Sequence, residues 1–134
     1  MRIDRLTTSR GLAGFVAGVL LAQPVWAVDN EDLRFDNTED LFQICKVEAG
    51  QPEYVVASFA CRGFIEAAVQ YHDAITDRRN LKPLICYPQG TSIEDGRAAF
   101  VTWAQEHSSN AKLMGELPVI GLVKALAAAY PCNR

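Results

Sequence analysis

Residues 53–76 read EYVVASFACRGFIEAAVQYHDAIT, and this stretch decides the fold class. Val56, Phe59, Ala60, Gly63, Phe64, Ala67, Ala68, Tyr71 and Ile75 recur every three or four positions, the period at which one side of an α-helix meets a core. The other side is polar, with Ser58, Arg62, Glu66, Gln70 and Asp73. Glycine in a helix interior costs about 1 kcal/mol relative to alanine. Gly63 beside Ala60, Ala67 and Ala68 therefore predicts a neighbouring helix in close approach.

Working outward, Gly50-Gln51-Pro52 separates this helix from a shorter one carrying Leu41, Phe42 and Cys45, which Asn37 or Thr38 is placed to cap. Residues 28–37 are polar and acidic without an apolar period, so they read as a flexible arm. Downstream, Asp77 to Gly90 carries Pro83, Pro88 and Gly90 and forms a long connection containing Cys86. Thr91-Ser92-Ile93-Glu94 has the spacing of a capping box. The helix it opens carries Ile93, Phe100, Trp103, Ala104 and His107 on one side. Ser108-Ser109-Asn110 ends that helix, and Ala111 to Leu117 fits helix or loop. Pro118 suits the first turn of a last helix that Pro131-Cys132 stops. No β-alternation or repeat competes, so the expected fold is all-α, a small disulfide-bonded bundle of about four helices over residues 38–134.

The first 27 residues read as a secretory signal peptide: Arg2, Arg5 and Arg10, then an apolar run from Gly11 to Leu21, then Val25 and Ala27 where a signal peptidase reads small residues. The run is about half of the ~20 residues that span a bilayer, so cleavage after Ala27 is expected, the alternative being an uncleaved anchor. The leader holds three Arg and Asp4 out of 13 basic and 16 acidic residues, which leaves 10 and 15, a net charge of −5. Nucleic acid is excluded on that balance, because phosphate binding needs clustered Lys and Arg.

Cys45, Cys61, Cys86 and Cys132 all remain after the leader, an even number in a chain bound for an oxidising compartment. They contain no C-x-x-C pair, and neither His72 nor His107 has ligand-like spacing to a cysteine, so two disulfides are expected and no metal or other cofactor. In an up-down bundle Cys45 ends the first helix while Cys61 lies about two turns into the next, and Cys86 and Cys132 both fall at the opposite end. The expected pairing is Cys45 with Cys61 and Cys86 with Cys132, within the ~7 Å Cα limit for a disulfide.

These cysteines carry a resemblance. Cys61-Arg62-Gly63-Phe64-Ile65 on a long helix, Cys86-Tyr87-Pro88 before a capped helix, an aromatic helix closing at Glu106-His107, and Ala125-Leu126 followed by Tyr130-Pro131-Cys132 resemble the Tai-type immunity proteins of type VI secretion, the resistance-associated protein type. The similarity covers roughly residues 41–132. It implies a small helical periplasmic protein that binds and blocks a peptidoglycan-cleaving amidase effector.

The residues that invite catalytic readings have simpler ones. His72 and Asp73 are adjacent on a helix, so their side chains start about 100° apart and are not expected to orient each other. Ser108 and Ser109 beside His107 lack a nucleophile elbow and read as a helix-ending loop. Glu94 and Asp95 fall in a first helical turn, where acidic residues favour the helix dipole. Phe100 and Trp103 read as core, and Arg62 with Glu66 as an i,i+4 pair on a solvated face. The chain is thus expected to be no enzyme but a binder of a protein partner, with no membrane contact after cleavage and with homodimerisation left open. A periplasmic chaperone of the acid-stress kind is the second reading, and a periplasmic enzyme the third. An inhibitor of a cleft enzyme gains from a protruding, pre-ordered segment. Two qualify: His107 to Asn110, and the charged Asp77 to Asn80 at the other end. His107, Ser108, Ser109 and Asn110 are favoured because they hydrogen-bond without a charge that must be desolvated.

Overall fold

The computed structural model describes residues 33–132. The leader and most of the acidic arm, residues 1–32, lie outside the described residues. Five helices follow in order: α1 (Thr38–Cys45), α2 (Tyr54–Arg79), α3 (Ile93–His107), α4 (Ala111–Met114) and α5 (Pro118–Ala129). Among the described residues there is no strand, and no helix is long and apolar enough to cross a membrane. The fold is all-α.

Local chemistry sets the helix ends. Asn37 caps α1: its side chain accepts from Asp40 N at 3.0 Å, and the Asp40 carboxylate accepts from Asn37 N at 3.1 Å. The capping box of α3 sits one residue later than the Thr91–Glu94 spacing suggested. Ser92 is the cap and Asp95 its partner, while the Thr91 hydroxyl donates to Pro88 O in the preceding turn. α2 stops at Asn80, which takes the left-handed conformation (φ 51°) that Asn tolerates better than most residues, with Leu81 N donating to Thr76 O. α4 is a single turn whose start Asn110 caps by accepting from Leu113 N.

α1 is the hub, packed against each of the other four helices. Leu41, Phe100, Ile65 and Leu122, one from each of α1, α3, α2 and α5, are fully buried together. Thr38 locks the start of α1 to the α4–α5 junction: its N–H donates to Glu116 O at 2.8 Å and its hydroxyl to the same oxygen at 3.0 Å. Gly121 lies directly beneath, where a Cβ would stand 2.3 Å from the Thr38 side chain, so no larger residue fits without movement. Phe35, from the last part of the arm, packs its ring at a tilt against that of Phe64, with centroids 5.3 Å apart.

The register of α2 differs from the periodicity reading. Its buried residues are Ala57, Cys61 and Ile65, whereas Val56, Phe59 and Tyr71 are 38%, 75% and 70% exposed. Gly63 and Ala67 also face solvent. The helix is turned by about one residue, roughly 100°, because Cys61 must meet Cys45, and that bond fixes the 57–61–65 ridge against α1. The structure joins Cys45 to Cys61 with Cα atoms 5.1 Å apart, and Cys86 to Cys132 at 4.9 Å. The second bond ties the 80–92 connection to the end of α5, beside Cys86 N donating to Tyr130 O.

Candidate functional site

The turn between α3 and α4 is built to hold its shape. The His107 ring stacks on Trp103 at 4.5 Å between centroids, and its Nδ1 lies 2.7 Å from Trp103 O. A carbonyl only accepts, so the ring proton sits on Nδ1 and Nε2 is left as an acceptor. Asn110 N donates to His107 O at 2.8 Å, and the Ser108 hydroxyl donates to Gln105 O at 2.9 Å. The side chains of Ser108, Ser109 and Asn110 are exposed. Local bonds thus fix the backbone while leaving His107 Nε2, the Ser109 hydroxyl and the Asn110 amide protons free to meet a partner. The four residues lie together at one end of α3, next to a shallow groove between α3 and α5 that includes Trp103, Glu106, Ala128 and Ala129.

The rival segment, Asp77 to Asn80, is no free loop: Asp77, Arg78 and Arg79 are the last turn of α2 and Asn80 is its cap. Nearby is a cluster that sequence reasoning did not assemble. His72 Nδ1 lies 2.9 Å from Asp73 Oδ1, so these neighbours do orient each other, contrary to the 100° argument, their side chains bending together over the helix surface. Leu84 N donates to His72 Nε2 at 3.1 Å. A backbone N–H only donates, so the ring proton lies on Nδ1 and is given to Asp73. The Tyr87 hydroxyl donates to the same Asp73 oxygen. Burial, and then the Asp73 carboxylate, hold the Tyr87 phenol above its ordinary range, so it stays a donor. Both imidazole nitrogens are therefore engaged, and the His72 side chain is only 11% exposed. The cluster fastens the 81–87 connection to α2 and leaves no ring nitrogen free to take a proton from a substrate. Tyr87 and the Leu84 N–H escaped the sequence because they lie across an irregular connection whose path no periodicity reports.

The remaining candidates are structural. Asp95 is engaged by Ser92. Glu94 pairs with Arg97 at 2.7 Å, and Arg97 also donates to Val47 O, tying α3 to the α1–α2 turn. Phe100 is fully buried. Arg62 and Glu66 do not pair: Glu66 accepts from Gln70 instead. Among the described residues, no group of three His, Cys, Asp or Glu side chains could hold a metal ion.

No curated protein and no solved structure matches the chain. The family model of the Rap1a immunity proteins matches residues 37–132, from the cap of α1 to the last cysteine, so that all five helices and both disulfides fall within it. This chain belongs to the Rap1a immunity proteins, a family of type VI secretion immunity proteins.

Proposed function

We propose that the chain is exported, loses residues 1–27, and protects the periplasm by binding a peptidoglycan-cleaving amidase effector and closing its active-site cleft. The observation that carries this reading is the family match, which spans the whole described bundle. Two disulfides support an oxidising compartment, and the leader pattern supports export. The segment His107, Ser108, Ser109 and Asn110 enters the cleft in this reading. Its backbone is already ordered, so little conformational entropy is lost on binding, and its free hydrogen-bonding groups are uncharged, so desolvation costs less than for the carboxylates nearby.

The test combines two measurements on a variant with all four residues changed to Ala: melting temperature, and protection of cells expressing an amidase effector encoded with the protein. The expected result is a folded variant whose protection falls by about tenfold or more, the equivalent of about 1.4 kcal/mol of binding. Unchanged protection by a stably folded variant places the binding surface elsewhere. N-terminal sequencing of the protein recovered from cells checks the compartment: the chain should begin at Val28, and retention of Met1 contradicts export with cleavage.

A further inference from the structure

The segment that runs from the end of α2 to Cys86 is held at both ends and once in the middle. At its start Leu81 N donates to Thr76 O. At its end Cys86 is fixed twice, by its disulfide to Cys132 and by its N–H, which donates to Tyr130 O. The middle hold is Leu84 N on His72 Nε2 at 3.1 Å. Among the described residues it is the one hydrogen bond that a backbone N–H of residues 82–85 makes. Lys82, Pro83 and Leu84 are exposed, but Ile85 beside them is buried and belongs to the core. One imidazole nitrogen thus holds a short span that covers a core residue.

We propose that His72 is a pH-operated latch: a second proton on its ring expels Leu84 N, frees residues 82–85 between their two end anchors and uncovers Ile85. A neutral imidazole has one donor and one acceptor, whereas the charged ring has two donors. The Nδ1 proton is already committed to Asp73 Oδ1, so the second proton can bond only to the Nε2 lone pair that Leu84 N now uses. Two N–H groups cannot share that approach, and the bond to Leu84 breaks as the proton from solvent arrives. Imidazole is the side chain that changes charge between about pH 5 and pH 8. The groups around the ring favour its charge: the groove beside it is lined by Asp73 and Asp77 of α2 and by Tyr87 of the connection, with no Lys or Arg and no ionisable group of another helix. Arg78, Arg79 and Lys82 lie nearby in sequence but are exposed to solvent and line no part of it. Tyr87 keeps its proton through this range, because burial and then Asp73 hold the phenol above its ordinary value. The bond from Nδ1 to the Asp73 carboxylate strengthens when the ring is charged, so the ring stays in place and the backbone at Leu84 gives way. The α3–α4 turn is carried on other helices, so the latch stands or falls separately from the proposed effector site.

The experiment is an NMR titration of the oxidised protein, as the cell processes it, from about pH 8 to about pH 5, following the His72 ring protons and the amides of Leu84 and Ile85. The Leu84 amide should shift with the same midpoint as the His72 ring. Its protection against exchange, corrected for the intrinsic effect of pH, should fall by about tenfold, the equivalent of one ordinary hydrogen bond, while α1, α3, α5 and the Cys86 amide keep theirs. His72→Gln places an amide oxygen near the position of Nε2 but takes up no proton, so Leu84 should stay protected at every pH. His72→Phe has no acceptor and should leave Leu84 unprotected at every pH. If the Gln side chain does not reach Leu84, the two midpoints in the wild type decide alone. A Leu84 amide that stays protected while the His72 ring titrates overturns the latch, and so does a loss of protection with the same pH profile in His72→Gln. A His72 ring that takes up no proton until the whole bundle unfolds overturns it as well.

Discussion

Among the described glycines, Gly121 leaves the least room for a side chain, because Thr38 lies directly above it. A methyl group at Gly121 would occupy the space of the Thr38 side chain, with 2.3 Å to its nearest carbon, and overpacking of that kind costs about 1–3 kcal/mol. Gly121→Ala should lower the melting temperature accordingly. Thr38→Ala loses a hydroxyl bonded to Glu116 O but clears the space, so the double variant should lose less than the two single losses added together. Thermal unfolding of the four proteins reads this directly, and simple additivity would contradict the contact. A second residue-scale prediction concerns Asp95. The backbone N–H of Ser92, and then its hydroxyl, hold the Asp95 carboxyl below its ordinary value of 3.8. A carboxyl whose folded value is depressed adds stability that is present above 3.8 and disappears as the pH falls through the folded value. The wild type should therefore lose stability below about pH 4 more steeply than Asp95→Asn, a difference that melting curves taken at falling pH would show. Not every residue-scale feature was legible. Thr91-x-x-Glu94 and Ser92-x-x-Asp95 offer the same cap spacing one residue apart, and the choice follows from the bond of Thr91 back to Pro88, which depends on the path of the turn.

At the scale of elements, the helical character of 54–79, 93–107 and 118–129 was readable from apolar spacing and caps, but the rotation of α2 was not. That helix is apolar around most of its circumference, so the hydrophobic pattern alone admits several orientations. Cys61 was the residue that could have decided it: a cysteine bonded to α1 must face α1, and Ala57 and Ile65 follow at one turn on either side. The stretch 111–117 stayed ambiguous because α4 is a single turn, too short for a period to register. The His72 cluster gives the element-scale prediction. His72→Phe keeps most of the ring volume but removes the acceptor for Leu84 N and the donor to Asp73. The net loss should be near 1 kcal/mol, as for an ordinary hydrogen bond. Amide exchange at Leu84 should quicken while α1, α3 and α5 keep their protection. Unchanged exchange at Leu84 would show that the disulfide at Cys86 alone holds the connection.

For the whole molecule, the two disulfides close loops of unequal length, with sequence separations of 16 and 46. In the chain-entropy model these contribute about 3 and about 4 kcal/mol, which is large against the 5–15 kcal/mol typical of a domain. Replacing Cys86 and Cys132 together by Ser should therefore lower denaturant stability by about 4 kcal/mol and loosen the 80–92 connection along with the end of α5. The turn at 107–110, proposed to enter the effector, lies on other elements and should keep its local geometry in whatever fraction stays folded. At this scale the cysteine frame was the legible part of the sequence, because a domain of this size has a modest core that crosslinks supplement. The partner surface was less so. Recognition surfaces are defined by what the fold leaves uncovered, and which groups of the 107–110 turn stay free depends on its local hydrogen bonds, such as that of the Ser108 hydroxyl to Gln105 O, which no periodicity reports. The most direct measurement is titration of a purified peptidoglycan amidase effector, encoded with this protein, with the oxidised immunity protein while cleavage of peptidoglycan is followed. The account predicts that cleavage falls to zero at stoichiometric immunity protein, with a stable complex of the two on gel filtration. Full cleavage in the presence of excess folded protein, with no complex formed, would contradict it.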